Sequence, residues 1–127
     1  MSGPKWIKPL FTVAGLYDGI LGALFLMVPT QLFGAMNVTP PNHIGYVQFP
    51  AFLLIIFAVM FFNIAKDPVA NRSLILYGIL LKISYCAIVF VYTMIGQMPW
   101  MWIPFAYCDL VFLSVFIVAR KQLNLIK

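Results

Sequence analysis

A chain of 127 residues that is 64% hydrophobic and only 9% charged, with a mean hydropathy of +1.01, cannot cover a water-soluble globule of its own size. Four apolar runs of about 20 residues use most of its length, and each is long enough to span a bilayer, so the expected architecture is one all-α integral membrane four-helix bundle with no room for a second domain. The net charge of +5 does not point to nucleic acid, because the basic residues sit at the ends of the apolar runs and not in one stripe with exposed aromatics.

The first predicted helix covers about 9–33. Lys5 and Lys8 precede an apolar run from Leu10 to Phe33, longer than the roughly 7–15 residues of a signal peptide's apolar region, so it reads as a retained span. Pro9 suits a first helical turn. Gly15, Gly19 and Ala23 recur every four residues, which puts them on one face and lets another helix approach closely. Pro29 kinks the last turn or ends the helix. Ala35 to His43, with adjacent Pro40 and Pro41, is a loop.

The second helix is expected over about 46–65, with Pro50 in its first turn and a middle, Phe52 to Phe62, that is apolar all round and suited to lipid contact. Asp67 followed by Pro68 reads as the N-cap and first residue of the next helix. That third helix, about 73–95, is the most polar, carrying Tyr77, Lys82, Ser84, Tyr85 and Cys86; Lys82 and Cys86, four apart, share a face with Tyr85 beside them. Gly96 to Pro99 makes a turn. The fourth helix covers about 100–119, with Pro104 near its start and Arg120 and Lys121 closing it.

Seven of the eight basic residues (Lys5, Lys8, Lys66, Arg72, Arg120, Lys121 and Lys127) then fall on one side of the bundle, and the first and third loops hold none. The positive-inside rule predicts both termini in the cytoplasm of a bacterial inner membrane, with Trp100 and Trp102 at the outer interface and Trp6 at the inner one.

The eighth basic residue is inside a span. Asp18 lies ten residues beyond Lys8, Lys82 ten beyond Arg72, and Asp109 eleven before Arg120. At about 1.5 Å per residue all three come out roughly 15–16 Å deep, near the middle of a core about 30 Å thick. An isolated charge there costs at least about 2.5–3.5 kcal/mol, so the three side chains are expected to turn inward and meet. Lys82 neutralises one carboxylate and leaves the second for a proton, a cation or a hydrogen-bond donor such as Tyr17, Tyr85 or Tyr107. An Asp–Lys–Asp cluster also fixes helix register and partner choice.

Other candidates carry less. His43 stands alone in a loop. Met36, Met94, Met98 and Met101 have thioethers suited to Cu(I), but no Met-x-x-Met cluster with a supporting His stands out, and methionine fills gaps among aromatics equally well. No metal site is expected. Cys86 and Cys108 count to about 21 and 18 Å from the inner interface and would meet if the third and fourth helices pack together; inside apolar runs they imply no extracellular disulfide framework. Gln48 and Asn63 sit near the ends of the second helix, where partial hydration makes them inexpensive. There is no phosphate-binding Gly-rich loop, Ser–His–Asp constellation or His-Glu-x-x-His motif.

Leu16-Tyr17-Asp18-Gly19-Ile20-Leu21-Gly22, followed by Met27-Val28-Pro29-Thr30-Gln31-Leu32-Phe33-Gly34, resembles the first helix of the DoxX-like group of small four-helix bacterial membrane proteins. That resemblance implies the four-span layout and an association with quinone-linked or thiol-linked membrane redox systems. No catalytic residue carries over by position. Three functional classes are therefore expected: handling of a proton or small ion or solute at the midplane cluster, as transport or permeation by an oligomer; a redox or enzyme-associated subunit with a lipid-soluble cofactor near Tyr85 or Cys86; and a non-catalytic assembly subunit of a larger membrane complex. The first is preferred; cofactor and substrate are not legible.

Overall fold

A computed structural model of the chain describes residues 3–126. The described residues form α1 (Ile7–Met27), α2 (Pro29–Ala35), α3 (Gly45–Lys66), α4 (Ile75–Ile95) and α5 (Ile103–Asn124), and contain no strand; single 3-10 turns at Arg72–Leu74 and Trp100–Trp102 lead into α4 and α5. Four helical stretches, Ile7–Met27, Gly45–Lys66, Arg72–Ile95 and Trp100–Asn124, are long and apolar enough to cross a bilayer, which makes this an integral membrane protein. A bundle of helices satisfies every backbone polar group within each span, as lipid requires.

The expected boundaries shift where local chemistry intervenes. The run read as one helix over 9–33 is two: α1 stops at Met27, Val28 leaves helical geometry (φ −133°, ψ 46°), and Pro29 opens α2 at the position where its missing N–H costs nothing. Pro50 is not in the first turn of α3 but its sixth residue, so the Tyr46 carbonyl loses its helical donor near that helix's end. Asp67 ends α3, and its Oδ1 accepts the Ala70 N–H at 3.1 Å, capping the turn that precedes Arg72 and not the long helix itself. α5 runs on to Asn124 because Leu123, fully buried, still packs in the core beyond the basic pair. α4 ends on Gly96 in the left-handed region (φ 82°), with the Gln97 N–H reaching back to the Tyr92 carbonyl at 2.9 Å.

The bundle is two helix pairs. α1 lies close against α3 through glycine: a Cβ on Gly22 would stand 2.7 Å from the Ala51 carbonyl oxygen, and one on Gly19 would stand 3.3 Å from the Ala58 Cβ. Gly15 faces the Phe62 ring. The third small residue of this contact is thus Gly22, while Ala23 is exposed, because the buried seam of α1 steps alternately by three and four and not uniformly by four. α4 pairs with α5.

Aromatic rings join the two pairs towards the end carrying the termini. Phe11 stacks on Phe116 at 4.8 Å, Phe61 tilts against Phe116 at 5.2 Å, and both belong to a fully buried core with Ile7, Ile64 and Ile75. At that end the Trp6 indole donates to Gln122 at 3.2 Å, and the Arg72 guanidinium donates to the Leu123 and Ile126 carbonyls at 2.9 and 2.6 Å. Lys127, one of the basic residues in the sidedness argument, lies outside the described residues.

A second core, around Phe25, Phe33, Ala51 and Met101, closes the opposite end. Trp102, expected with Trp100 at the outer interface, turns its ring into this core, 5.3 Å from Phe25 and 5.9 Å from Phe33. Trp100 stays exposed and donates to the Met36 carbonyl at 3.1 Å. The outward faces are apolar, with Ile56, expected to face lipid, 60% exposed. The hydroxyls of Ser84 and Ser114 donate to the carbonyls four residues back, so neither leaves an unpaired donor facing the apolar surroundings.

Candidate functional site

Each seam repeats at near-heptad spacing, and in three of them an ionisable residue takes a core position. α1 buries Phe11, Ala14, Asp18 and Phe25; α4 buries Ile75, Ile79, Lys82, Cys86 and Val89; α5 buries Ala106, Asp109, Phe116 and Leu123. Asp18 is 1% exposed, Lys82 0% and Asp109 7%, so water cannot screen these charges and they must satisfy one another.

The geometry does this asymmetrically. Lys82 Nζ donates to both oxygens of Asp18, at 2.9 Å to Oδ1 and 3.1 Å to Oδ2, and to Asp109 Oδ1 at 3.0 Å. An ammonium has three donors, and all three are used. The rings of Phe112, Tyr17 and Phe61 stand 5.3, 5.5 and 5.8 Å from Nζ and surround its remaining side with π faces. Asp18 and Lys82 therefore form a closed pair. Asp109 is held through one oxygen, and its Oδ2 accepts no hydrogen bond from any described residue.

That free oxygen borders a cavity of about 560 Å³ on the side of the triad away from the termini. Asp18 and Asp109 form its floor, and Phe25, Tyr85, Trp102 and Phe105 are among its walls. It exists because α3 and α4 meet only sparsely: Phe61 fills the gap at Gly78 on the termini side, but nothing comparable fills it beyond Lys82. The rim there, Tyr46, Leu53 and Ile88, is exposed. On the termini side the Phe11–Phe61–Phe116 slab leaves no continuation.

The tyrosines expected to donate to the triad do not. The Tyr85 hydroxyl donates to the Trp102 carbonyl at 2.8 Å, tying α4 to the start of α5. Tyr107 faces outward, 59% exposed, edge-on to Phe90. Tyr17 comes closest, through its ring; its buried hydroxyl has no hydrogen-bond partner and the residue lines the cavity.

The remaining candidates separate. Cys86 is buried, its thiol 3.4 Å from the Ala106 carbonyl, whereas Cys108 is exposed, and both are free. His43 accepts the Gly45 N–H through Nδ1 at 3.0 Å and so shapes the entry to α3. Met36 and Met101 pack in the apolar core, Met98 lines the cavity and Met94 is 87% exposed. Gln48 donates to the Leu26 carbonyl at 3.3 Å, serving the end of α1.

The aromatic cage and the cavity are what sequence reasoning missed. The cage carried a partial signal: Phe112 is three residues beyond Asp109, on the same helical face. The cavity carried none, because it arises from the spacing between two helices. Against known proteins the sequence matches no family model, and no curated protein or solved structure matches it.

Proposed function

We propose that the protein handles a proton or a small cationic solute at Asp109, reached from the cavity, with the Asp18–Lys82 pair as the fixed electrostatic base of the site. The observation that carries this reading is the free Oδ2 of Asp109, a carboxylate oxygen that accepts no hydrogen bond from any described residue, on a residue only 7% exposed that lines the cavity floor. Two carboxylates face one ammonium, so the triad has one formal negative charge left to balance, and in a low-dielectric interior that balance is a proton or a bound cation. Lys82 has no donor left for an anion. Each of the three charged groups comes from one chain, so the site needs no second copy to complete it; any oligomer forms around a finished site.

In this reading the protein sits in a bacterial inner membrane with both termini cytoplasmic. Of the seven described basic residues, all but Lys82 (Lys5, Lys8, Lys66, Arg72, Arg120 and Lys121) belong to the termini end. The cavity then opens in the outer half of the bilayer and the aromatic slab seals the inner half. Transport would require the α4–α5 pair to move against the α1–α3 pair. Reporter fusions at the C-terminus and in the loop between α2 and α3 are expected to give opposite sidedness, the C-terminus inside; equal sidedness excludes a four-span chain.

The site is tested by infrared titration in nanodiscs. In the native-minus-Asp109→Asn difference, where the carboxyls common to both chains cancel, a carboxyl band that follows bulk pH is expected. A native-minus-Asp109→Asn difference without a pH-responsive carboxyl overturns the assignment.

A further inference from the structure

The cavity is far larger than a proton or an inorganic cation needs. Its volume of about 560 Å³ falls in the range of roughly 300–1,000 Å³ typical of sites that enclose small organic molecules. Its charged features are concentrated at the floor, where Asp18 and Asp109 stand and Asp109 Oδ2 lacks a partner. Above them Phe25, Trp102 and Phe105 supply apolar and aromatic wall.

We propose that the site's ligand is a lipophilic organic amine in its protonated form, entering sideways from the bilayer between α3 and α4. Its ammonium donates to Asp109 Oδ2, and the Tyr17 ring lies in the lining beside the floor. Its apolar body fills the space between Leu54 of α3 and Val89 of α4, against Trp102 and Phe105. The inference rests on the reading of Asp109 as the free charge of the triad.

Each part of the amine is selected by a separate feature. Charge is selected because the triad carries one uncompensated negative charge and Lys82, saturated, repels any cation that does not reach Asp109. An N–H donor is selected because the unpartnered atom, Asp109 Oδ2, is a carboxylate oxygen that only accepts. An apolar body is selected because no charged side chain except the triad lines the walls, and removing apolar surface from water is favourable. The sideways route follows from the rim: Tyr46, Leu53 and Ile88 are exposed on the bundle's flank, where a membrane-dissolved molecule arrives.

A proton competes for the same oxygen, so binding weakens in acid. The titratable groups around Asp109 are Asp18 and Tyr17 on α1 and Lys82, Tyr85 and Cys86 on α4, with Cys108 beside it on α5; α3 contributes only Tyr46, at the rim.

The test is calorimetric titration of the full-length protein in nanodiscs, with protein-free nanodiscs subtracted, using 4-phenylbutylamine, its uncharged analogue 4-phenylbutanol, and ammonium chloride. Saturable binding of the amine is expected, at least about tenfold tighter than either the alcohol or ammonium, as one charged hydrogen bond in a desolvated site provides. Asp109→Asn is expected to erase the preference for amine over alcohol. Equal binding of amine and alcohol, or of amine and ammonium, overturns the inference on the native chain alone, whether or not the variant folds. The infrared response of Asp109 in the same samples separates the two readings: a pH-responsive Asp109 with no amine preference overturns only the ligand class, and an unresponsive Asp109 overturns the site itself.

Discussion

Lys82→Met is expected to destabilise the protein in detergent by about 3–5 kcal/mol, the cost of removing one partner from a buried ion pair and leaving the other charge uncompensated. Two carboxylates then face each other across a dry interior with three aromatic rings around the vacated ammonium position. Asp18→Asn in the Lys82→Met background is expected to recover most of the loss, and Asp109→Asn less. Lys82 gives two of its three hydrogen bonds to Asp18 and one to Asp109, and Asp109 is the carboxylate that the cavity can relieve with a proton or a cation. Double-mutant cycles on unfolding measure both couplings. A coupling to Asp109 as large as that to Asp18 contradicts the division into a structural pair and a working carboxylate, and additivity for both pairs means that the triad contributes nothing as a unit.

The convergence of these three residues was legible in the sequence for a physical reason. Helix rise is constant, and basic side chains stay at the membrane surface, so counting inward from Lys8, Arg72 and Arg120 is a usable depth gauge. Depth alone does not give direction around the helix axis. Tyr107 lies two residues before Asp109 and so points away from it, and Tyr85 finds a nearer acceptor at Trp102. The four-span layout was equally legible from hydropathy. The helix break at Val28 was not resolved, because a proline near a helix end permits either a kink or a stop, and the packing of Phe33 into the loop-end core decides for the stop. The cavity was illegible for a deeper reason. It comes from Phe61 filling the α3–α4 gap on one side of Lys82 while no residue does so on the other, a property of tertiary spacing that no single helix encodes.

The α1–α3 contact gives the second large effect, and it discriminates among small residues that look equivalent in sequence. Gly22→Leu is expected to prevent folding or to cost well over the roughly 1–3 kcal/mol of ordinary overpacking, since even its Cβ would lie 2.7 Å from the Ala51 carbonyl oxygen, a backbone atom that can retreat only if the two helices separate. Separation would in turn withdraw Asp18, four residues away on the same seam, from Lys82. Gly22→Ala should already be destabilising. Gly15→Ala should be milder, because the obstructing atoms belong to the Phe62 ring, which is 41% exposed and free to swing. Ala23→Leu, on the exposed face, should leave monomer stability unchanged, as should Ile56→Leu. Thermal unfolding of the five variants in one detergent checks the order. Tolerance of Gly22→Leu refutes the close α1–α3 approach, and a loss at Ala23→Leu that disappears on dilution to monomer would place the every-fourth-residue stripe at a contact between copies of the chain.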